Sequence, residues 1–171
     1  YAESSDGIHW TFPELGIFEF MGSKKNNIVW MGDGSKAWVP FRDGNPDCPA
    51  EARYKAVGYR RSGGDFKDAT KDLIAFRSPD GLHWQKISEE PILTDGYFDS
   101  QNLVFWDPNQ KVYRAYYRFY LPEHGRSIKT AVSADFAHWP DKGSPLEYDS
   151  DPPAQFYTNV IKPYYRATHI Y

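Results

Sequence analysis

The chain has 171 residues, of which 40% are hydrophobic, 18% aromatic and 25% charged, with a formal net charge of −3. This length suits one domain with a sizeable core. The negative charge and the lack of a basic cluster argue against nucleic-acid binding, and the lack of an apolar run of about 20 residues argues against a membrane span.

Abundant aromatic residues favour β-strands and suit sugar binding, where rings stack on sugar faces, although most such rings form core. The single cysteine, Cys48, excludes an internal disulfide and has no predicted role.

Three copies of one motif, Ser-x-Asp-(Gly)-x-His-Trp, recur at residues 4–10, 78–84 and 133–139, and their tryptophans are 74 and 55 residues apart. Asp-Gly between strand-like runs predicts a tight turn, because Gly tolerates positive φ and the Asp side chain bonds back to the backbone. The third copy has Phe136 in place of Gly, so we expect a different turn there. A second marker, Asn before branched or aromatic residues, follows each copy at nearly the same spacing: Asn27, Asn102 and Asn159.

Each repeat contains four predicted strands, labelled A to D. Strand A follows the Asn marker, and strand B is an aromatic, branched segment at residues 53–60 and 112–118. Strand C, at residues 72–76 and 127–132, runs into the turn motif, and strand D starts at its His-Trp pair. Tandem units of four antiparallel strands are typical of β-propeller blades. The sequence therefore predicts an all-β chain of such blades.

In this interpretation residues 1–171 form a single incomplete propeller domain. Residues 1–25 end one blade, residues 26–90 and 91–145 each form a blade, and residues 146–171 start the next. A propeller ring closes with about 4–8 blades, so we expect the chain to be a truncated part of a ring. Unpaired blade edges also predict self-association.

Residues that recur in every blade are expected to hold the blade together, whereas residues that break the repeat are candidates for chemistry. We therefore predict structural roles and no metal site for the histidines and aspartates of the turn motifs. They are His9, His83, His138, Asp6, Asp80 and Asp135.

In an antiparallel blade the start of strand A and the B–C loop share one end, named here the B–C end, while the A–B and C–D turns share the opposite turn end. Asp99, just before a strand A, is the leading candidate at the B–C end, because its sister positions Lys24 and Phe156 are not acidic. The B–C loop adds further candidates, which are Glu123, His124 and Arg126.

Asp43 is the next candidate carboxylate, and two alignments remain open for it. If strand A is residues 27–31, Asp43 belongs to an insertion and is a candidate for function. If strand A is residues 37–42, Asp43 matches Asp107 and is an A–B turn residue.

The three turn motifs, together with Phe41-Arg42-Asp43 and Phe98-Asp99-Ser100-Gln101-Asn102, resemble five-bladed propeller glycoside hydrolases, the grouping of invertase-like, levansucrase-like and arabinanase-like enzymes. The resemblance implies a funnel on the ring axis with three acidic residues from different blades. Arg42-Asp43 is similar to the second-blade Arg-Asp motif, with Gly44 where invertase-like enzymes carry Pro. Glu123 stands in by position for the general acid, and the first-blade carboxylate is expected upstream of Tyr1.

These observations predict a glycoside hydrolase acting on an oligo- or polysaccharide through paired carboxylates, without a cofactor. The predicted catalytic residues are Asp99, Asp43 and Glu123. The predicted substrate-binding residues are Arg42, Asn102, Arg118, His124, Arg126, Tyr157 and Asn159. The alternatives are a non-catalytic carbohydrate-binding propeller and a structural or protein-binding propeller; Asp99 and the charged B–C loop favour an enzyme over the latter. By analogy with the grouping, a secreted or periplasmic location is expected.

Overall fold

The computed structural model describes residues 1–63, 70–122, 125–147, 154–164 and 166, and they form two four-stranded antiparallel sheets. Sheet 1 contains β1 Lys36–Arg42, β2 Tyr54–Ser62, β3 Thr70–Ser78 and β4 Gln85–Lys86. Sheet 2 contains β5 Leu103–Asp107, β6 Val112–Leu121, β7 Gly125–Ser133 and β8 Ser144–Pro145. The one helical turn in the described residues is a 3₁₀ turn at Ala50–Ala52. The prediction of an all-β chain built from four-stranded antiparallel units is confirmed.

In both sheets, strands that are consecutive in sequence are neighbours, in the order β1-β2-β3-β4 and β5-β6-β7-β8. The predicted strand D is much shorter than the others, because β4 and β8 pair through only two residues each. Residues 1–35 contribute isolated bridges rather than strands, between Glu3 and Thr11 and between Phe20 and Ser23. No segment that the structure describes forms an apolar helix of membrane-spanning length.

Strand register decides between the two alignments of Asp43. Arg42 pairs with Tyr54 at the end of β1, and Asp107 pairs with Val112 at the end of β5. Tyr54 and Tyr113 also pair with the Ser of their respective turn motifs. The strand A of sheet 1 is therefore β1, and Asp43 occupies the same A–B turn position as Asp107.

The same register corrects the predicted equivalence of Asn27 and Asn102. Residues 27–31 form no strand, and the residue that precedes the pair Val39–Val57 is Trp38, just as Asn102 precedes the pair Leu103–Tyr116. Asn27 is therefore not the counterpart of Asn102. For the same reason Lys24 is not the counterpart of Asp99.

The core lies between the two sheets because alternate side chains of a strand point to opposite faces. On sheet 1, the forward face carries Val57 and Leu73, which share one buried cluster with Ala115 and Tyr117 on the back face of sheet 2. The opposite, back face of sheet 1 carries a second cluster, formed by Ala56, Ile74 and Phe76. Three tryptophans pack against it, which are Trp30, Trp38 and Trp84. The forward face of sheet 1 thus points toward sheet 2, and the back face of sheet 2 points toward sheet 1.

Gly58 in β2 makes the closest backbone approach on that back face. A Cβ atom at this position would lie 1.9 Å from the carbonyl oxygen of Gly34. The loop before β1 can therefore pack onto β2 only because residue 58 has no side chain.

Candidate functional site

The three turn motifs are closed hydrogen-bond networks, and the second and third copies lie at the turn end of the sheets. In the second copy, Ser78 Oγ accepts from Gly81 N at 2.9 Å, and Asp80 Oδ1 accepts from the backbone of residues 82 and 83 at 2.8 Å each. Asp80 Oδ2 lies 2.7 Å from His83 Nδ1, and Trp84 Nε1 donates to Gly81 O at 2.9 Å. Because an ionised carboxylate can only accept, Nδ1 carries the hydrogen. These contacts support the predicted structural roles of the Asp and His residues.

The third copy keeps the same turn, so the expectation of a different turn there is wrong. Phe136 has φ +70°, close to the +79° of Gly81, and its N–H donates to Ser133 Oγ at 3.0 Å. A non-Gly residue in this region costs about 1–2 kcal/mol. Full burial of a Phe side chain contributes about 1.5–3 kcal/mol, and Phe136 is fully buried against the rings of Phe41 and Tyr113.

Asp43 is buried at the turn end, where it joins the two sheets. Its carboxylate accepts from Lys55 Nζ, from Asn45 N at 2.9 Å and from Tyr113 Oη, on sheet 2, at 2.7 Å. Burial by itself would raise the pKa of Asp43, but these hydrogen bonds hold that pKa below its ordinary value. Burial and the bond to Asp43 raise the pKa of the Tyr113 hydroxyl.

The Asp43 arrangement recurs in sheet 2. Asp107 accepts from Asn109 N at 3.0 Å and pairs with Arg114 at 3.2 Å, as Asp43 does with Asn45 and Lys55. Recurrence at equivalent positions favours a structural role for Asp43. The neighbouring Arg42 is exposed and lines a cavity of about 500 Å³ on the back of sheet 1 with Tyr54 and Trp84.

Cys48 lies beside Lys55, the partner of Asp43. Its Sγ is 3.1 Å from Lys55 Nζ and donates to Ala52 O at 3.2 Å. Burial raises the pKa of the thiol, which is opposite to what a reactive cysteine requires.

Asp99 lies at the other end of the sheets, on a loop that its neighbours fix in place. Phe98 is fully buried against the Tyr117 ring, 5.3 Å between centroids. Asn102, 1% exposed, donates from Nδ2 to Phe98 O at 2.8 Å and to Ser100 O at 2.9 Å. These bonds hold the residues on both sides of Asp99. Asn102 is therefore a positioning residue for the Asp99 loop.

The carboxylate of Asp99 pairs with the buried guanidinium of Arg118 on β6, while 43% of the Asp99 side chain stays exposed. Arg118 also donates to Tyr157 O at 3.4 Å, and its guanidinium lies 5.0 Å from the centroid of the Tyr157 ring. Arg126 lies over the same ring at 5.3 Å. The structure thus brings together four of the predicted residues in one cluster, called here the Asp99 cluster. Its members are Asp99, Arg118, Arg126 and Tyr157.

Asn159 lies next to this cluster. It is 7% exposed, and its Nδ2 donates to Tyr116 O at 3.5 Å. The side-chain oxygens of Asn159 and Asn102 are buried and have no hydrogen-bond partner among the described residues. Glu123 and His124, the other two candidates predicted at this end, lie outside the described residues.

Asp43 and Asp99 are not arranged as a catalytic pair. Asp43 contacts Tyr113 and Asp99 contacts Arg118, and these partners are five residues apart on β6, which is about 17 Å along a strand. The side chains of Tyr113 and Arg118 also project from opposite faces of sheet 2, because an odd and an even position of one strand point to opposite sides. Glycosidase carboxyl groups are about 5–9.5 Å apart.

Sequence reasoning missed the carboxylate of Asp95, whose side chain is 12% exposed. It accepts from Tyr117 Oη at 2.8 Å, Lys129 Nζ at 2.8 Å and Gly143 N at 2.9 Å. Burial and the hydrogen bond to Asp95 raise the pKa of the Tyr117 hydroxyl. Nothing in the repeat pattern marks Asp95, since its partners come from residues 22 to 48 positions away. Its bonds tie the linker before β5 to β6 and β7.

In the described part of the chain, no group of three or more His, Cys, Asp or Glu side chains is placed to hold a metal ion.

Comparisons with known proteins give a distant structural similarity. No protein-family model matches the sequence, and no curated protein matches it. A solved structure of a glycosyl hydrolase from Bacteroides ovatus aligns with a TM-score of 0.42 and 16% sequence identity. The alignment covers 70% of this chain and 34% of that one, so the matched region spans about a third of the length of that protein.

Proposed function

We propose that this chain is part of a glycoside hydrolase-like propeller and that the Asp99 cluster binds carbohydrate at the B–C end of the sheets. The observation that carries the proposal is a half-exposed carboxylate on a fixed loop. Phe98 and Asn102 are buried on either side of Asp99, whereas the carboxylate itself faces solvent and a guanidinium. A rigid backbone that presents an exposed charged group is typical of a binding or catalytic position.

The chemistry around Asp99 suits a sugar. Hydroxyl groups bind carboxylate acceptors and guanidinium donors, and both are present in Asp99 and Arg118. The apolar face of a sugar ring packs on aromatic side chains, and Tyr157 leaves 64% of its surface exposed next to these polar groups. An aromatic surface with a few fixed polar groups is a common ligand-binding arrangement.

Hydrolysis also requires a second carboxyl group near the first, because one carboxyl protonates the leaving oxygen and the other acts as base or nucleophile. Asp43 lies at the opposite end of the sheets, and Asp95 is already bound by three donors. We assign the second carboxyl to Glu123, by its position in the B–C loop, or to a further blade of a complete ring.

A non-catalytic carbohydrate-binding propeller is the second candidate. It is favoured by the pairing of Asp99 with Arg118 and by the single exposed carboxylate in the Asp99 cluster. The two candidates differ in turnover and share the same binding site.

The test is hydrolysis and binding of a panel of glycans and aryl glycosides by the chain and by Asp99→Asn. The control variant is Asp47→Asn, an exposed aspartate at the turn end. If Asp99 is catalytic, its amide variant loses about 10²- to 10⁴-fold in hydrolysis rate while Asp47→Asn does not. Binding without hydrolysis, weakened by Asp99→Asn alone, selects the binding propeller. Equal behaviour of both variants removes Asp99 from the site.

A further inference from the structure

The Asp99 cluster contains two guanidinium groups and one carboxylate. Arg118 and Arg126 lie 5.0 and 5.3 Å from the centroid of the same Tyr157 ring. Asp99 neutralises Arg118. The guanidinium of Arg126 instead meets a neutral group, the side-chain amide oxygen of Gln155, at 3.4 Å.

Two other arginines of the sheets pair with carboxylates. Arg60 pairs with Asp72 at 2.9 Å, and Arg114 pairs with Asp107 at 3.2 Å. Arg126 differs from these two arginines, because no described carboxylate pairs with it and its side chain is exposed beside the proposed sugar site.

The backbone around Arg126 is fixed. Arg126 pairs with Tyr120 in the β6–β7 ladder, its carbonyl accepts from Phe156 N at 2.9 Å, and its N–H faces Gln155 Oε1 at 3.5 Å. The segment that carries Tyr157 is thus tied to the start of β7. This arrangement keeps the guanidinium of Arg126 next to the exposed Tyr157 ring.

We propose that the sugar bound by the Asp99 cluster carries an anionic group, a carboxylate or a sulfate, and that Arg126 binds this group. The proposal rests on the carbohydrate-binding function proposed above. A guanidinium presents a planar pair of donors that matches two oxygens of either anion. The net charge of the chain is −3, so an acidic glycan needs a local cation to overcome the overall repulsion.

The experiment compares matched acidic and neutral glycans. Affinity electrophoresis of the 171-residue chain is run in polygalacturonate and its methyl ester, and in a sulfated galactan and its desulfated form. The first pair tests a carboxylate and the second a sulfate. The variants are Arg126→Gln, Arg126→Lys and the control Lys142→Gln, which removes one charge from an exposed lysine before β8.

We expect one acidic glycan to bind at least ten-fold more tightly than its neutral form, with the preference weakened by salt. Arg126→Gln abolishes this preference, Arg126→Lys retains part of it, and Lys142→Gln retains all of it. Equal binding of acidic and neutral forms, or a preference that survives Arg126→Gln, overturns the proposal while leaving carbohydrate binding in place. No binding to any glycan overturns both proposals.

Discussion

The hydroxyl of Tyr113 should stabilise the junction between the two sheets, because it reaches from β6 to a buried carboxylate on the other sheet. Tyr113 and Asp43 are each 3% exposed, and the Tyr113 hydroxyl donates to Asp43 Oδ2 at 2.7 Å. A hydrogen bond to a charged group contributes about 1.5–3 kcal/mol. Since Asp43 keeps its bonds from Lys55 and Asn45 in Tyr113→Phe, we expect a loss of about 2 kcal/mol in the free energy of unfolding.

For a chain of this length a loss of this size lowers the melting temperature by about 4–8 °C. The assay is urea unfolding and a thermal melt at pH 7, followed by tryptophan fluorescence. The matched control is Tyr54→Phe, because Tyr54 occupies the same register in sheet 1 and its hydroxyl makes no hydrogen bond to a carboxylate within the described part of the chain. The control should change stability by less than about 0.5 kcal/mol.

The difference in unfolding free energy between Tyr113→Phe and Tyr54→Phe should also shrink at low pH. Hydrogen bonds keep the pKa of Asp43 below its ordinary value, so the carboxylate stays ionised until the pH falls through that lowered pKa. Once Asp43 is protonated, the bond from Tyr113 is no longer charge-assisted. Equal stability of Tyr113→Phe and Tyr54→Phe at pH 7 would refute the assignment of this hydroxyl as the contact between the sheets.

Two further predictions concern the backbone and the turns. Gly58→Ala should destabilise the chain by about 1–3 kcal/mol or more, measured by urea unfolding, because the new Cβ would meet Gly34 O; Gly44→Ala, where the nearest atom is 3.7 Å away, should be close to neutral. Burial alone would raise the pKa of Asp135, but hydrogen bonds from His138 and Ala137 lower it to about 2. Its contribution to stability is therefore present above about pH 4 and lost as the pH falls toward 2. The difference in unfolding free energy between the chain and Asp135→Asn should shrink over this range, and a constant difference would contradict the role of the carboxylate.

The repeat made the sheets predictable because it combined a local turn signal with strand periodicity. The turn motif places all its hydrogen bonds within seven residues, so its geometry can be inferred without knowledge of the rest of the fold. The predicted strand B segments, residues 53–60 and 112–118, correspond to β2 Tyr54–Ser62 and β6 Val112–Leu121.

Strand A of sheet 1 was harder to predict because two apolar segments competed for it. Residues 27–31 have the composition of a strand, but Trp30 covers the back face of sheet 1 by packing on Trp38 and Phe76. The true strand, β1, contains a register shift between Lys36 and Val39, with Ala37 at φ +48°. Such a bulge disrupts the alternation that identifies a strand.

The site was predictable only in part, for a similar reason. Asp99 was singled out because it breaks the repeat, and the structure places it beside Arg118. The equivalence of Asp43 with Asp107 became clear from strand pairing, and the Tyr113–Asp43 bond joins residues 70 positions apart. Contacts across sheets at this separation leave no local pattern in one sequence.

Phe136 has a consequence for the history of the repeat. The first two turn copies carry Gly, which adopts a positive φ without a compensating contact. The third is bound to its neighbour, because its ring fills the space beside Phe41 of the preceding sheet. A unit duplicated from sheet 2 and moved elsewhere would keep the strained backbone without the aromatic pocket that compensates for it. Phe136 thus records the position of its unit in the order of the chain, and we expect exchange between repeats to stop where such a residue has become established.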